Sequence, residues 1–373
     1  MRFWPPALAF LLQRLLLSLV AWASGFNPFA ASSWVRWDSG HYLSIAGHGY
    51  TALVHCPPES HYPAAAWCGT AGWFPGYPLL IRLLGGSAGS ASAAALLSAA
   101  CQLACLVLIW HLLERRHWPA LLLAAFFPGN VYMAAVFPVS LVSLAILSCL
   151  ALCLADRFCS AALAALIAAA CYPTGVLLAP VVAAWALLHR RFRSLLVPIG
   201  SLAGVAAVLA VMQTQTGRWD AYFLVQHKYG FHFGLPFDAL FARLKPIVNR
   251  RYRTSLTLTT ALQTLLSTAL MLSALVTATL QRLAPRLQTA AAGSPLLRNP
   301  DERTSLVLLC AGAFWLAPLV LGGNLSLYRA EALLLPAVLL VPALPRTLQL
   351  ALLCAVLALS APMAALFFRG SLV

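Results

Sequence analysis

The residues between the first two hydrophobic stretches of the chain read Trp34-Val35-Arg36-Trp37-Asp38-Ser39-Gly40-His41-Tyr42. Only nine of the 373 residues are acidic, and Asp38 is the first of them. Charged side chains are costly in hydrocarbon, so a lipid-facing helix would not tolerate this run. The run therefore predicts a polar segment just outside a membrane span, and its carboxylate and imidazole are groups that perform acid–base chemistry.

The composition places this segment in an integral membrane protein. Hydrophobic residues make up 62% of the chain and charged residues 9%, with a mean hydropathy of +0.85. Soluble domains carry about 25% charged residues. The first apolar stretch, which ends at Ala23-Ser24-Gly25, has features of a signal peptide, but it begins a series of spans and we interpret it as an uncleaved helix.

The hydrophobic windows predict one all-α polytopic domain over residues 1–373 with about eleven transmembrane helices. The predicted spans lie near residues 7–25, 91–113, 119–136, 138–155, 159–172, 174–189, 195–215, 256–281, 305–322, 331–345 and 347–368. The positive-inside rule favours a cytoplasmic N-terminus. The first loop, about 26–90, and the second large loop, about 216–255, are then external, and the loop at about 282–304 is cytoplasmic.

The external loop at 216–255 is basic, against the positive-inside rule. One interpretation is a miscounted helix, which would place this loop inside. The other is a surface for anionic lipid phosphates, with its aromatic residues at the membrane interface. In the first external loop, the stretch from Trp73 to Arg82 is too short to span and predicts an interfacial helix, and the run from Asp38 to Tyr50 predicts a second.

The net charge of +15 raises the possibility of nucleic-acid binding, but the chain has no soluble basic domain to perform it. The charge fits positive cytoplasmic loops and anionic lipid head groups instead. We therefore expect the bilayer, and no nucleic acid, as a partner.

Two of the ten cysteines, Cys56 and Cys68, lie in the polar first loop, whereas the others lie in apolar stretches. A disulfide is the favoured interpretation if the loop faces an oxidising compartment. A metal site that includes His55 or His61 is the alternative, although the spacing matches no established zinc pattern.

Several motifs resemble the PIG-V family, which contains the second mannosyltransferase of glycosylphosphatidylinositol anchor assembly and many bacterial relatives. The specific part is Trp37-Asp38-x-x-His41-Tyr42, then Gly49-Tyr50, then Phe74-Pro75-x-Tyr77-Pro78-Leu79-Leu80. Weaker matches follow in the same order: Thr216-Gly217-x-Trp219-x-x-Tyr222 with Gln226, and Leu327-Tyr328-Arg329 with Pro336.

The resemblance implies a GT-C fold, and the compact loops favour a bacterial relative. Such enzymes transfer a hexose from a polyprenyl-phosphate donor to a lipid or glycan acceptor with inversion, and mannose is the sugar that the family suggests. The active site would face outside a bacterial plasma membrane, or the endoplasmic reticulum lumen in a eukaryote. We expect no cofactor and no metal, and a protein partner subunit is left open.

The resemblance assigns Asp38 as the catalytic base, and the alternative is a loop acid that pairs with Arg36. Arg329 is the leading phosphate ligand, and its alternative is a salt bridge to Glu331. The remaining candidates for substrate binding, each with a structural or interfacial alternative, are Trp37, His41, Tyr77, Arg82, Gln226 and Tyr328.

Two positions depart from the family pattern. Relatives carry an acid at the start of the fourth span, where this chain has Phe137-Pro138-Val139-Ser140, and an Arg before Gly175, where it has Tyr172-Pro173-Thr174. An acid and a base lost together suggest a former ion pair. The losses motivate a second hypothesis, a non-catalytic or partner-dependent scaffold. A lipid or solute transporter is a third, although the distinctive polar residues gather in loops and not at mid-membrane.

Overall fold

The computed structural model describes residues 4–372 except 61, 64, 87–89, 128, 231, 284–299 and 323–326. Its α-helices are α1 Trp4–Ala23, α2 Ser39–His48, α3 Gly76–Gly85, α4 Ala91–Leu112, α5 Trp118–Ala125, α6 Val131–Ala134, α7 Val139–Leu154, α8 Phe158–Cys171, α9 Leu178–His189, α10 Leu196–Thr216, α11 Ala221–His227, α12 Pro236–Val248, α13 Ser255–Leu283, α14 Pro300–Val320, α15 Leu327–Ala330 and α16 Arg346–Phe368. Short 3₁₀ helices cover Ala31–Trp34, Thr70–Gly72, Pro173–Leu177, Phe192–Leu195 and Arg250–Tyr252.

Six of the described helices are long and apolar enough to cross a membrane: α1, α4, α10, α13, α14 and α16. Three further apolar helical segments are shorter, at Val139–Leu154, Phe158–Cys171 and Pro173–His189. The expectation of an all-α, multi-pass membrane protein is therefore confirmed. The number eleven and the GT-C arrangement stay predictions.

Two of the predicted spans are not continuous α-helices. The segment 119–136 is divided into α5, which ends at Ala125, and the single turn α6. Gly129 lies between them with φ +78°, a conformation that ends a helix. The segment 331–345 forms a 3₁₀ helix over Glu331–Ala343 that contains Pro336 and Pro342. Proline removes an N–H and clashes with the carbonyl four residues earlier, so a regular α-helix is not accessible there.

Helices α8 and α10 pack backbone against backbone. A Cβ added at Gly200 would lie 2.3 Å from the Ala162 carbonyl oxygen, and one at Gly204 would lie 2.5 Å from that of Leu166. Glycines spaced four apart form a groove that lets two membrane helices approach closely. The backbones of α8 and α10 are therefore in direct contact.

The first large loop, about 26–90, contains the two short helices expected from sequence, α2 and α3. Between them, β1 (Val54–His55) pairs antiparallel with β2 (Trp67–Cys68). Cys56 and Cys68 form a disulfide next to this pair, as favoured from sequence over a metal site. The loop is therefore a cross-linked layer and not an open chain.

The second large loop packs against the first. It contains α11 and α12, and the Gln226 Nε2 of α11 donates a 2.7 Å hydrogen bond to the Gly72 carbonyl. A Cβ at Gly72 would lie 2.8 Å from the Val225 side chain, so the contact is close. The two loops form one layer around Asp38. Most of the cytoplasmic loop predicted at 282–304 lies outside the described residues.

Candidate functional site

The structure brings together two residues that are 291 positions apart. Arg329 Nη1 donates a hydrogen bond to Asp38 Oδ2, and the two side chains form an ion pair. The Asp38 side chain is 25% exposed and that of Arg329 is 13% exposed. The residues proposed from sequence as base and phosphate ligand are thus direct neighbours in a largely buried setting.

The simpler pairings considered for these two residues are wrong. Arg36 Nη1 donates instead to the Val35 carbonyl at 2.7 Å. Glu331 is 2% exposed and its Oε2 accepts a 2.7 Å hydrogen bond from Gln263 Nε2. Each local partner is therefore engaged elsewhere, and the ion pair is a long-range one.

The turn before α2 directs Asp38 towards Arg329. An Asp at a helix start usually accepts a hydrogen bond from the first backbone N–H groups, but the Asp38 side chain makes no such bond. Trp37 precedes it with φ +48°, and a bulky residue in this region is strained by about 1–3 kcal/mol. The strained turn and the unused cap leave the carboxylate free to face Arg329.

Arg329 is positioned by contacts to its neighbour Tyr328. The Tyr328 carbonyl accepts a 2.7 Å hydrogen bond from Gln263 Nε2, and its ring stacks on that of Tyr132 with centroids 6.0 Å apart. A Cβ added at Gly129 would lie 2.6 Å from the same carbonyl. The predicted role of Tyr328 in substrate binding remains a prediction, and its observed contacts are structural.

Aromatic rings enclose the ion pair. The Arg329 guanidinium carbon lies 5.4 Å from the Phe137 ring centroid, within cation–π range. Tyr42 is buried, and burial raises its pKa well above the usual value, with the Asp38 charge adding to the effect. Burial alone would lower the pKa of Arg329, but nearby acidic groups, Asp38 first, more than offset this and the pKa is raised. The surroundings therefore keep Tyr42 neutral and Arg329 charged.

His41 lies on α2 one turn after Asp38 and stacks on Trp73, with ring centroids 3.5 Å apart and planes 14° from parallel. Trp73 is held in turn by Tyr50, whose hydroxyl donates to the Trp73 carbonyl at 2.7 Å. Burial lowers the pKa of His41, Lys228 lowers it further, and Asp38 opposes the shift. His41 is thus a neutral imidazole at pH 7, able to exchange hydrogen bonds beside the carboxylate.

Sequence reasoning missed Lys228 as a specific site residue. Its ammonium lies 4.8 Å from the Tyr62 ring centroid, 5.1 Å from that of Tyr229 and 3.6 Å from the Cys68 sulfur. Burial lowers the pKa of Lys228. Its ammonium therefore lies where the second large loop meets the first. A usable signal was that the chain has only two lysines among 24 basic residues.

Four other candidates have different surroundings. Tyr77 is fully buried and its hydroxyl bonds to Ser98 Oγ at 3.0 Å, so it supports the site from beneath. Gln226 bonds to the first loop. Arg82 is exposed in the last turn of α3, and the described contacts do not link it to the ion pair. Trp37 is 44% exposed and remains available to a ligand.

The segment Phe137-Pro138-Val139, singled out from sequence, contacts the ion pair. The Phe137 ring lies beside Arg329, and Val139 is 1% exposed at the start of α7. An apolar environment therefore adjoins the guanidinium at this segment.

No protein-family model matches this chain, and no curated protein matches its sequence. Within the described ranges, no three His, Cys, Asp or Glu side chains lie close enough together to hold a metal ion.

Proposed function

We propose that this protein is a GT-C-type membrane glycosyltransferase. It transfers a hexose, mannose first among candidates, from a polyprenyl-phosphate donor to a lipid or glycan acceptor at the external face, with inversion. The observation that supports this most is the contact between Asp38 and Arg329, because a base and a phosphate ligand must flank the same sugar. The resemblance to PIG-V enzymes supplies the substrate class.

In this mechanism, Asp38 removes the proton of the acceptor hydroxyl as its oxygen attacks the anomeric carbon. The bond between that carbon and the phosphate oxygen breaks, and its electron pair remains on the leaving polyprenyl phosphate. The contact to Arg329 uses Asp38 Oδ2, and no hydrogen bond from the described residues engages Oδ1. Oδ1 is therefore available to the acceptor while the guanidinium faces the phosphate through its paired N–H donors.

Two neighbours complete the arrangement. Lys228, whose charge acts on His41, supplies a second cation for the charge that develops on the leaving phosphate. His41 is neutral and stacked, so it orients the acceptor or Asp38 by hydrogen bonding and does not add charge. The cost of separating charge in this largely buried site is lowered because these groups are already in place.

One observation favours a second function, a non-catalytic scaffold. The carboxylate is already neutralised by Arg329, and the second acid and Arg of the family pattern are replaced by Phe137-Pro138-Val139 and Tyr172. In this alternative the ion pair joins the first external loop to α15 and has no chemical role.

A transfer assay distinguishes the two functions. Purified protein in lipid nanodiscs is given radiolabelled polyprenyl-phosphate mannose and a membrane-lipid extract, with glucose and arabinose donors in parallel. We expect label to move into a new lipid or glycan with wild type and not with Asp38→Asn. Asp220→Asn is the matched control, because Asp220 is a loop acid of similar exposure, 26%, and pairs with Arg218 at 2.9 Å. Absence of transfer from all three donors would favour the scaffold.

A further inference from the structure

A cavity of about 230 Å³ opens at the end of the protein that contains the start of α1. It is lined by Trp4, Pro5, Trp110, Arg115 and Trp118. One water molecule needs roughly 10–15 Å³ by the same measure, so the space accommodates a much larger group. The first loop follows the other end of α1, and 20 helical residues extend about 30 Å, so the cavity is remote from Asp38.

Three indole rings form the walls of this cavity. The ring centroids of Trp4 and Trp118 are 5.2 Å apart, and those of Trp110 and Trp118 are 5.6 Å apart. Trp4 is 57% exposed, whereas Trp110 is 5% exposed. Indole rings favour the boundary between hydrocarbon and water, so the cavity has the character of a membrane-interface site.

The charged group in the lining of the cavity is Arg115. The Arg115 backbone N–H donates to the Trp110 carbonyl at 2.9 Å, which folds the turn back and places Arg115 at the cavity. Arg115 has φ +61°, a strained conformation for a side chain other than glycine. Its Nη2 lies 3.4 Å from His111 Nδ1, an exposed contact that leaves the other guanidinium donors available.

The donors and the charge select an anion. Three indole rings alone would suit a quaternary ammonium group, but the Arg115 guanidinium in the lining repels a cation. A guanidinium is a donor without acceptor capacity, and phosphate oxygens are acceptors. We propose that this cavity binds the phosphate of an anionic phospholipid headgroup, with the indole rings in contact with the glycerol and the upper acyl chains.

The test uses full-length protein and native mass spectrometry with phosphatidylglycerol and, separately, phosphatidylcholine. We expect Arg115→Gln to weaken retention of phosphatidylglycerol about tenfold, the size of one charge-assisted contact. Arg116→Gln is the matched control, because Arg116 is the adjacent exposed residue and is not part of the lining. Retention of phosphatidylcholine should be the same in all three proteins.

A second variant addresses the aromatic wall. Trp4→Ala removes an exposed ring that folding does not require, and we expect it to weaken phosphatidylglycerol retention while the thermal midpoint is unchanged. Equal losses of phosphatidylglycerol retention in the Arg115 and Arg116 variants would overturn the proposal, because they would show only general attraction to a basic surface. No loss of retention in either variant would overturn it as well. Displacement of the lipid by inorganic phosphate would overturn the assignment to a lipid headgroup.

Discussion

Replacement of either member of the Asp38–Arg329 pair should destabilise the protein. Replacement of both should lower the free energy of unfolding by less than the sum of the two single replacements. Removal of one partner from a buried ion pair leaves an uncompensated charge and costs about 3–5 kcal/mol. The side chains of Asp38 and Arg329 are 25% and 13% exposed, so the loss should be smaller than for a fully buried pair. We expect Asp38→Asn and Arg329→Gln each to lower the free energy of unfolding by about 2–3 kcal/mol. The double variant removes both charges, so we expect a coupling energy of about 2 kcal/mol.

The assay is equilibrium unfolding in mixed detergent and lipid micelles, followed by tryptophan fluorescence, for all four members of the cycle. Arg36→Gln combined with Asp38→Asn provides the control cycle, because Arg36 is adjacent in sequence but hydrogen-bonds to a backbone carbonyl. The control cycle should be additive within about 0.5 kcal/mol. Additivity in the Asp38–Arg329 cycle as well would refute the inference that the two side chains interact.

Three further predictions concern packing, pH and the cross-link. Gly204→Ala should destabilise the protein by about 1–3 kcal/mol in the same unfolding assay, because the added Cβ would clash with the backbone of α8. Gly312→Ala is the control and should be neutral or stabilising, because no atom lies within 4 Å of its added Cβ. The pKa of His41 is lowered in the native protein, so below about pH 6.5 the unfolded chain binds a proton more readily than the native protein does. The free energy of unfolding should therefore fall as pH falls. His41→Gln should make the free energy of unfolding less dependent on pH between about pH 7 and pH 5. Cys56→Ser should lower the free energy of unfolding by about 3 kcal/mol, and reductant should lower that of the wild type by the same amount. An effect of reductant on the stability of the variant would contradict the disulfide assignment.

The sequence predicted the long apolar helices well because hydrocarbon requires continuous apolar helices of sufficient length. It also predicted α2, α3 and the Cys56–Cys68 bond. The segments predicted to span at 119–136 and 331–345 are not continuous α-helices, because Gly129 and two prolines change the backbone. Hydropathy counts side chains and does not register these backbone effects.

Part of the candidate site followed from sequence, and part did not. Asp38 and Arg329 were each identified from local motifs, but their contact depends on the packing of elements 291 residues apart. Local reasoning offered Arg36 and Glu331 as partners, because it considers near neighbours only. Lys228 was obscured within a basic loop, and only the packing of α11 against the first loop distinguishes it.

The most direct test of the central claim separates phosphate binding from sugar transfer. Binding of polyprenyl phosphate, the proposed leaving group, is measured by equilibrium titration for wild type, Asp38→Asn and Arg329→Gln, beside sugar transfer by each. The proposed mechanism predicts that Asp38→Asn binds the phosphate at least as tightly as wild type yet transfers no sugar, since the change removes the carboxylate that competes with phosphate for Arg329. It also predicts that Arg329→Gln loses binding. Unchanged binding in Arg329→Gln, or full transfer in Asp38→Asn, would contradict it.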